Sequence, residues 1–174
     1  MPPNTRRINI GGFPYCIPKN YIYGYVILDS PEIKKLLPSN EKRCDLLICL
    51  ADPQRKIIFW FFIEEKSRDI RTAVEQIEQC VKRKDILKKY IQWEDPSFFH
   101  HDCSKKYKDV HVRYLHHHAR KIDKKIMAMV VRKRKFIFMG TLIRDFLLSR
   151  KRTNFREGTN ISFFPTVFGH DLPC

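Results

Sequence analysis

The chain has 174 residues, with 34 Lys and Arg against 19 Asp and Glu, which gives a net charge of +15. This length fits one domain of about 100–200 residues, so we expect residues 1–174 to form a single domain. Apolar residues make up 43% and charged residues 30% of the sequence, a balance that excludes an intrinsically disordered chain. No run of about 18 apolar residues occurs, so we expect no transmembrane segment and no membrane partner.

The six cysteines include no CxxC pair, so neither a zinc ribbon nor a thioredoxin-like motif is indicated. We interpret the cysteines as mostly reduced, and the N-terminus shows no apolar signal sequence. Together these features predict an intracellular, cytoplasmic protein.

The positive charge is concentrated in one segment. Residues 104–157, which we call the basic half, contain 17 Lys and Arg against four acids and carry +13 of the +15. One interpretation is a phosphate-binding face, because each neutralised phosphate releases counterions. The alternative is a solvated surface that keeps the protein soluble. The candidate nucleic-acid-binding residues are the two dense basic runs, Arg132, Lys133, Arg134, Lys135 and Arg150, Lys151, Arg152.

The first predicted elements are irregular, then extended, then helical. Residues 1–20 contain four prolines and two glycines, which predict an irregular N-terminal arm. Residues 21–28 are rich in aromatic and β-branched side chains and predict a strand. The sequence Ser30-Pro31-Glu32 is typical of a helix start, with an N-cap, a proline and an acid in the first turn.

Two apolar runs then predict a β-hairpin. Residues 43–50 and 57–63 flank a short polar turn at 51–54, and such a pair of runs favours antiparallel pairing. Neither run alternates cleanly between polar and apolar residues. We therefore expect a central pair of strands that is covered on both faces.

A long amphipathic helix is predicted next, because apolar residues recur at helical spacing over residues 68–91. The remaining predicted elements are strands at 110–115 and 135–139 and helices at 119–131 and 141–149. This order predicts an α/β fold with a mixed central sheet around a core β-hairpin, flanked by helices.

Charged residues at the ends of the apolar hairpin carry the strongest chemical signal. Asp45 begins the first run, and Glu64-Glu65-Lys66 ends the second. With a turn centred near residues 53–54, antiparallel pairing places Asp45 opposite residues 62–63, one step from Glu64. Alternation along the strand places Glu64 and Lys66 on one face. Two carboxylates at cross-strand separation, about 5 Å, are close enough to share a divalent cation.

This arrangement resembles the PD-(D/E)xK nuclease superfamily, and within it archaeal Holliday-junction resolvase-like nucleases. The resemblance covers residues 43–90, with Asp45, an ExK motif and the long helix. It implies a restriction-endonuclease-like fold and a Mg²⁺-dependent (or Mn²⁺-dependent) endonuclease that hydrolyses DNA, including branched or junction DNA. It also implies a homodimer and an archaeal or viral source; for a viral protein, the expected compartment is the host cytoplasm.

The resemblance implies roles for particular residues. Asp45 and Glu64 correspond to the metal ligands, and Lys66 to the catalytic lysine. Several branches place a glutamine on the helix that follows ExK, and Gln76 matches it. Ser67 follows the lysine and is a candidate phosphate contact. Many members also carry a glutamate on an earlier helix, for which Glu32 is the nearest candidate.

Two other interpretations remain open from the residues alone. An ExK tripeptide is common by chance, so these charges also fit the polar end of a buried strand. A degenerate nuclease domain that binds nucleic acid without cleaving it fits both the fold and the charge. A zinc site at the histidines and cysteine of segments 100–103 and 116–118 is disfavoured, because adjacent histidines match ligand spacings poorly.

Overall fold

The computed structural model describes residues 4–66, 70–100, 107–117 and 136–139. Eight strands and four α-helices occur in these residues, and their bounds are as follows: β1 Thr5–Ile10, β2 Phe13–Pro18, β3 Ile22–Ile27, α1 Pro31–Leu36, β4 Leu46–Asp52, β5 Ile57–Lys66, α2 Ile70–Lys82, α3 Lys84–Leu87, β6 Gln92–Trp93, α4 Ser97–His100, β7 Lys108–His117 and β8 Phe136–Met139. The expected helices at 119–131 and 141–149 lie outside the described residues.

The N-terminal segment is a β-hairpin, so the prediction of an irregular arm over residues 1–20 is wrong for residues 5–18. Strands β1 and β2 pair antiparallel, from Thr5 opposite Pro18 to Ile10 opposite Phe13. Gly11 and Gly12 form the turn with positive φ angles of 61° and 86°, a conformation that glycine adopts without steric cost. The glycines that suggested irregular chain therefore serve a tight turn between two strands.

A six-stranded mixed sheet forms the centre of the fold, in the order β6-β3-β4-β5-β7-β8. Strands β3, β4 and β5 are antiparallel neighbours, whereas β5, β7 and β8 run parallel. The predicted α/β class, the mixed sheet and the central hairpin are thus confirmed. The predicted strands at 21–28, 110–115 and 135–139 correspond to β3, β7 and β8.

Both faces of the central hairpin are covered, as its continuous apolar runs predict. All seven residues of β4 are buried. One face packs against Ala73, Val74 and Ile77 of α2. The other face packs against Ile10 and Ile17 of the N-terminal hairpin. A helix and a β-hairpin therefore enclose the sheet at this point.

The predicted helix over residues 68–91 is interrupted in the structure. Helix α2 ends at Lys82, α3 follows from Lys84, and a 3₁₀ turn spans Lys88–Tyr90. Lys84, which breaks the apolar stripe, forms an ion pair with Asp109 of β7 and lies 5.1 Å from the centre of the Trp60 ring. The side chain of Lys84 thus contacts the sheet even though it is charged, because Asp109 neutralises it and Trp60 packs against it.

The helix start at Ser30 is confirmed, because the Ser30 hydroxyl accepts the backbone N–H of Ile33 at 3.4 Å. In the described part of the chain, no helix has both the length and the apolar character needed to cross a bilayer. Among the cysteines, Cys16 is disulfide-bonded, an exception to the expected reduced state, whereas Cys44, Cys49 and Cys80 are free thiols.

Candidate active site at the open end of the central hairpin

The start of β4 and the end of β5 meet at the open end of the central hairpin. The regular ladder ends where Leu46 pairs with Ile63. Just beyond it, the backbone N–H of Asp45 donates to the Ile63 carbonyl at 3.1 Å. Asp45 therefore lies beside Ile63, one residue from Glu64, as the sequence predicts. The turn at the other end is one residue later than expected, because Asp52 pairs with Ile57.

Two carboxylates lie at this end, and both are withdrawn from solvent. Glu64 is 0% exposed, and Asp45 is half-buried. The backbone carbonyl of Asp45 also accepts the N–H of Leu28 at 2.9 Å. The backbone of Asp45 is thus held on both sides, by Ile63 of β5 and by Leu28, the residue just after β3.

The Cys44 thiol lies near both acids, and its pKa responds to each of them. The pKa of this thiol is raised well above its ordinary value. Burial is the largest cause, a hydrogen bond with Cys80 is the next, and the negative charges of Glu64 and Asp45 contribute less. Electrostatic effects of this kind require short separations. Glu64 and Asp45 therefore act on the same small region of the interior, which remains strongly unfavourable for a thiolate.

Helix α2 fixes the peptide unit that precedes this region. Gln76 Nε2 donates to the carbonyl oxygen of Arg43 at 2.8 Å, and the backbone N–H of Cys44 donates to Cys80 Sγ at 2.9 Å. Both polar groups belong to the single peptide bond between Arg43 and Cys44. Gln76 and Cys80 are one helical turn apart and share a helix face, so α2 holds the chain two residues before Asp45.

Gln76 therefore lies near the start of β4, and its hydrogen bond is with the backbone carbonyl of Arg43; its role in the site stays a prediction. Its Oε1 atom is buried and lacks a hydrogen-bond partner in the described structure. Glu32 is exposed in the first turn of α1, and α1 follows β3. The first strand of this part of the sheet thus precedes the helix that carries Glu32.

Lys66 is the last residue of β5, two positions after Glu64. Ser67 and both basic runs, residues 132–135 and 150–152, lie outside the described residues. The roles assigned to these side chains stay predictions.

The parallel pairing of β5 with β7 brings further residues to the same edge. In the register, Leu115 pairs with Glu64, His116 with Glu65, and His117 with Lys66. The sequence alone did not place the histidines of segment 116–118 near the ExK motif. Only the register between two strands more than forty residues apart makes this connection, and no local pattern encodes it.

Within the described side chains, no three His, Cys, Asp or Glu residues come together as a ready set of metal ligands. No protein-family model, curated protein or solved structure matches the chain.

Proposed function

We propose that the protein is a metal-dependent nuclease that hydrolyses DNA phosphodiester bonds, with a PD-(D/E)xK-type site on a restriction-endonuclease-like fold. The observation that carries the proposal is the position of two acids at the open end of the central hairpin: Asp45 is bonded to the backbone of Ile63, and the next residue of β5 is the buried Glu64. The order of elements supports it as well. The hairpin is followed by the amphipathic helix α2 and then by a strand parallel to β5.

The donor groups at this end fit a hard divalent cation. Mg²⁺ and Mn²⁺ prefer oxygen ligands, and Mg²⁺ is commonly held by one or two carboxylates together with water and substrate phosphate. The neighbouring Cys44 does not compete as a soft ligand, because burial and nearby negative charge raise its pKa and keep it a neutral thiol. Asp45 and Glu64 would hold the ion.

Each site residue has a distinct task in the proposed reaction. A bound Mg²⁺ supplies Lewis-acid polarisation of a phosphoryl oxygen. Lys66 orients the attacking water or stabilises the charge that develops on the phosphoryl group. Gln76 positions the start of β4 through the Arg43 carbonyl, and Ser67 contacts a neighbouring phosphate.

The DNA is bound over a wider surface than the reacting phosphate. The basic half, including residues 132–135 and 150–152, supplies phosphate contacts. Branched or junction DNA is the proposed substrate class. Two symmetric cuts across a junction need two sites, so the active form is proposed to be a homodimer with two-fold symmetry.

The test is cleavage of supercoiled plasmid and of a synthetic four-way junction, each with and without Mg²⁺ or Mn²⁺. We expect cleavage only with metal, and at least about a hundredfold loss of kcat/KM in Glu64→Gln and in Lys66→Met. The matched control is Glu65→Gln, which removes a carboxylate from the alternate strand position and is expected to keep activity within about threefold.

Tight, salt-sensitive DNA binding without cleavage under either metal would overturn the nuclease. That result would instead support the alternative, a non-catalytic nucleic-acid-binding protein on a degenerate nuclease fold. Cleavage of linear duplexes at the same rate as junctions would retain the nuclease and remove the junction preference.

A further inference from the structure

The described chain contains one half-buried cation whose position has no structural explanation. Among basic residues whose side-chain burial is described, six are half-buried. Five of them are in ion pairs, and these are Arg6 with Glu94, Arg83 with Glu41, Lys84 with Asp109, Lys88 with Asp85, and Arg113 with Glu78. The sixth, Arg43, has no acidic partner among the described residues.

The guanidinium group of Arg43 is also incompletely hydrogen-bonded. Its Nη1 atom is buried and has no acceptor in the described structure. A buried donor without an acceptor costs free energy, and a charged donor costs more than a neutral one. Arg43 as a whole is half-buried, so the side chain is not sealed from a ligand. Nothing in its described surroundings offsets this cost.

The position of Arg43 relative to the candidate site is fixed by α2. Gln76 binds the Arg43 carbonyl at 2.8 Å, and Cys80 accepts the next backbone N–H at 2.9 Å. Arg43 is two residues before Asp45, so their Cα atoms are at most about 7 Å apart. The backbone of Arg43 is therefore held two residues before Asp45, just ahead of β4.

We propose that Arg43 is a phosphate-binding residue, and that a phosphate of the bound nucleic acid supplies the acceptors that its guanidinium lacks. The proposal rests on the proposed function, because it adds an anion contact next to the same metal site. A guanidinium is planar and can bind a phosphate through two parallel N–H donors. The positive charge also offsets repulsion between phosphate and the nearby carboxylates.

The experiment measures binding of a fluorescein-labelled DNA duplex and of one of its single strands in EDTA, over a range of salt concentrations. Arg43→Met keeps the length of the apolar stem and removes the charge. We expect it to raise Kd about five- to tenfold near 0.1 M salt and to lower the log–log salt slope by about 0.9 for duplex and 0.7 for single strand. Arg43→Lys, which keeps the charge, is expected to recover most of the slope.

The matched control is Arg83→Met, at an equally half-buried arginine that is paired with Glu41. We expect this variant to lower Tm, because it breaks an ion pair, and to leave the salt slope unchanged. Arg43→Met is expected to keep or raise Tm, because it removes a cation without a partner. The two variants thus separate a binding role from a structural role.

Two results would overturn the proposal: an unchanged salt slope in Arg43→Met, or a fall in Tm as large as that of Arg83→Met with unchanged binding. Failure of the proposed function is distinguishable. A wild-type protein that does not cleave under Mg²⁺ or Mn²⁺, yet loses salt-dependent binding in Arg43→Met, refutes the nuclease and retains the phosphate contact. Cleavage with an unchanged slope does the reverse.

Discussion

The central hairpin buries an acid at each end, and the two ends differ in what surrounds the carboxylate. At the turn, Asp52 is 2% exposed and accepts the backbone N–H groups of Gln54 and Arg55 at 3.0 and 3.1 Å. The Arg55 guanidinium is 3.7 Å from its second oxygen. At the open end, Glu64 is 0% exposed and lies one residue from the strand position that Asp45 contacts.

Backbone donors of the turn therefore contact Asp52, whereas Glu64 has a second acid, Asp45, close by across the hairpin. The turn itself satisfies Asp52, which is the ordinary role of an aspartate that caps its own backbone. Two carboxylates in a buried region repel each other, and a divalent cation removes that repulsion. Burial by itself does not identify the candidate site; the neighbouring carboxylate does.

The largest expected difference between the two ends is in activity. Glu64→Gln is expected to lower kcat/KM for DNA cleavage at least about a hundredfold, or about 2.7 kcal/mol of transition-state stabilisation. Asp52→Asn is expected to stay within about threefold, because its carboxylate serves the turn. Cleavage rates at saturating Mg²⁺ measure both. Equal losses in the two variants would contradict the distinction between the ends.

Substitution of Asp52, which has little expected effect on activity, should have a clear effect on folding stability. Asp52→Ala leaves two backbone N–H groups without their acceptor and is expected to cost about 1–3 kcal/mol of unfolding free energy. Urea unfolding measures this loss. We expect Mg²⁺ to raise the Tm of the wild-type protein, and the same variant should retain that rise in full, since the proposed ion site at the open end does not involve Asp52. If Mg²⁺ no longer raised the Tm of Asp52→Ala, the ion would bind at the turn and not at the open end of the hairpin.

A smaller effect is expected from the helix that holds the open end. Gln76→Leu removes the donor to the Arg43 carbonyl and is expected to cost about 1 kcal/mol. It should also raise the Mg²⁺ concentration needed for half-maximal activity while changing the saturated rate less. Gln79→Leu is the control, because Gln79 is equally half-buried on α2 but has no described side-chain hydrogen bond. Equal metal requirements in both variants would assign Gln76 a purely structural role.

Local patterns in the sequence predicted most elements correctly, and they failed where a pattern had two structural meanings. The apolar runs 43–50 and 57–63 predicted β4 and β5, because a strand buried on both faces has few polar residues. Gly11 and Gly12 indicated irregular chain, yet the same residues form the turn of β1 and β2. The covering of the second sheet face by this hairpin is a long-range contact that no local window contains.

Some features of the candidate site could be predicted from local sequence, and others depend on long-range packing. Asp45, Glu64 and Gln76 were accessible to prediction, because a hairpin and a helix place them by counting residues. The anchoring of the peptide bond between Arg43 and Cys44 by α2 was not, since it depends on how the helix docks on the sheet. The approach of residues 116 and 117 depends on the β5–β7 register.

The smallest expected effect tests the turn end through its pH dependence. Tyr21 is 6% exposed, and its pKa is raised to about 12. Burial is the largest cause, and the charge of Asp52 and a hydrogen bond with Asp52 add to it. In the unfolded chain a tyrosine ionises near pH 10. Between these values the unfolded state loses a proton that the folded state keeps, so folding stability falls as the pH rises.

Tyr21→Phe removes this titration from both states. Below pH 10 the wild-type protein should be the more stable of the two, because it retains the hydrogen bond to Asp52. From pH 10 to about 12 the difference in unfolding free energy should shrink, because only the wild-type unfolded state gains from ionisation. Urea unfolding of both proteins at several pH values measures the difference, and the lysines that also titrate there cancel. A difference that stays constant over this range would mean that Tyr21 is not coupled to Asp52, and that the turn end is less closely satisfied than its hydrogen bonds indicate.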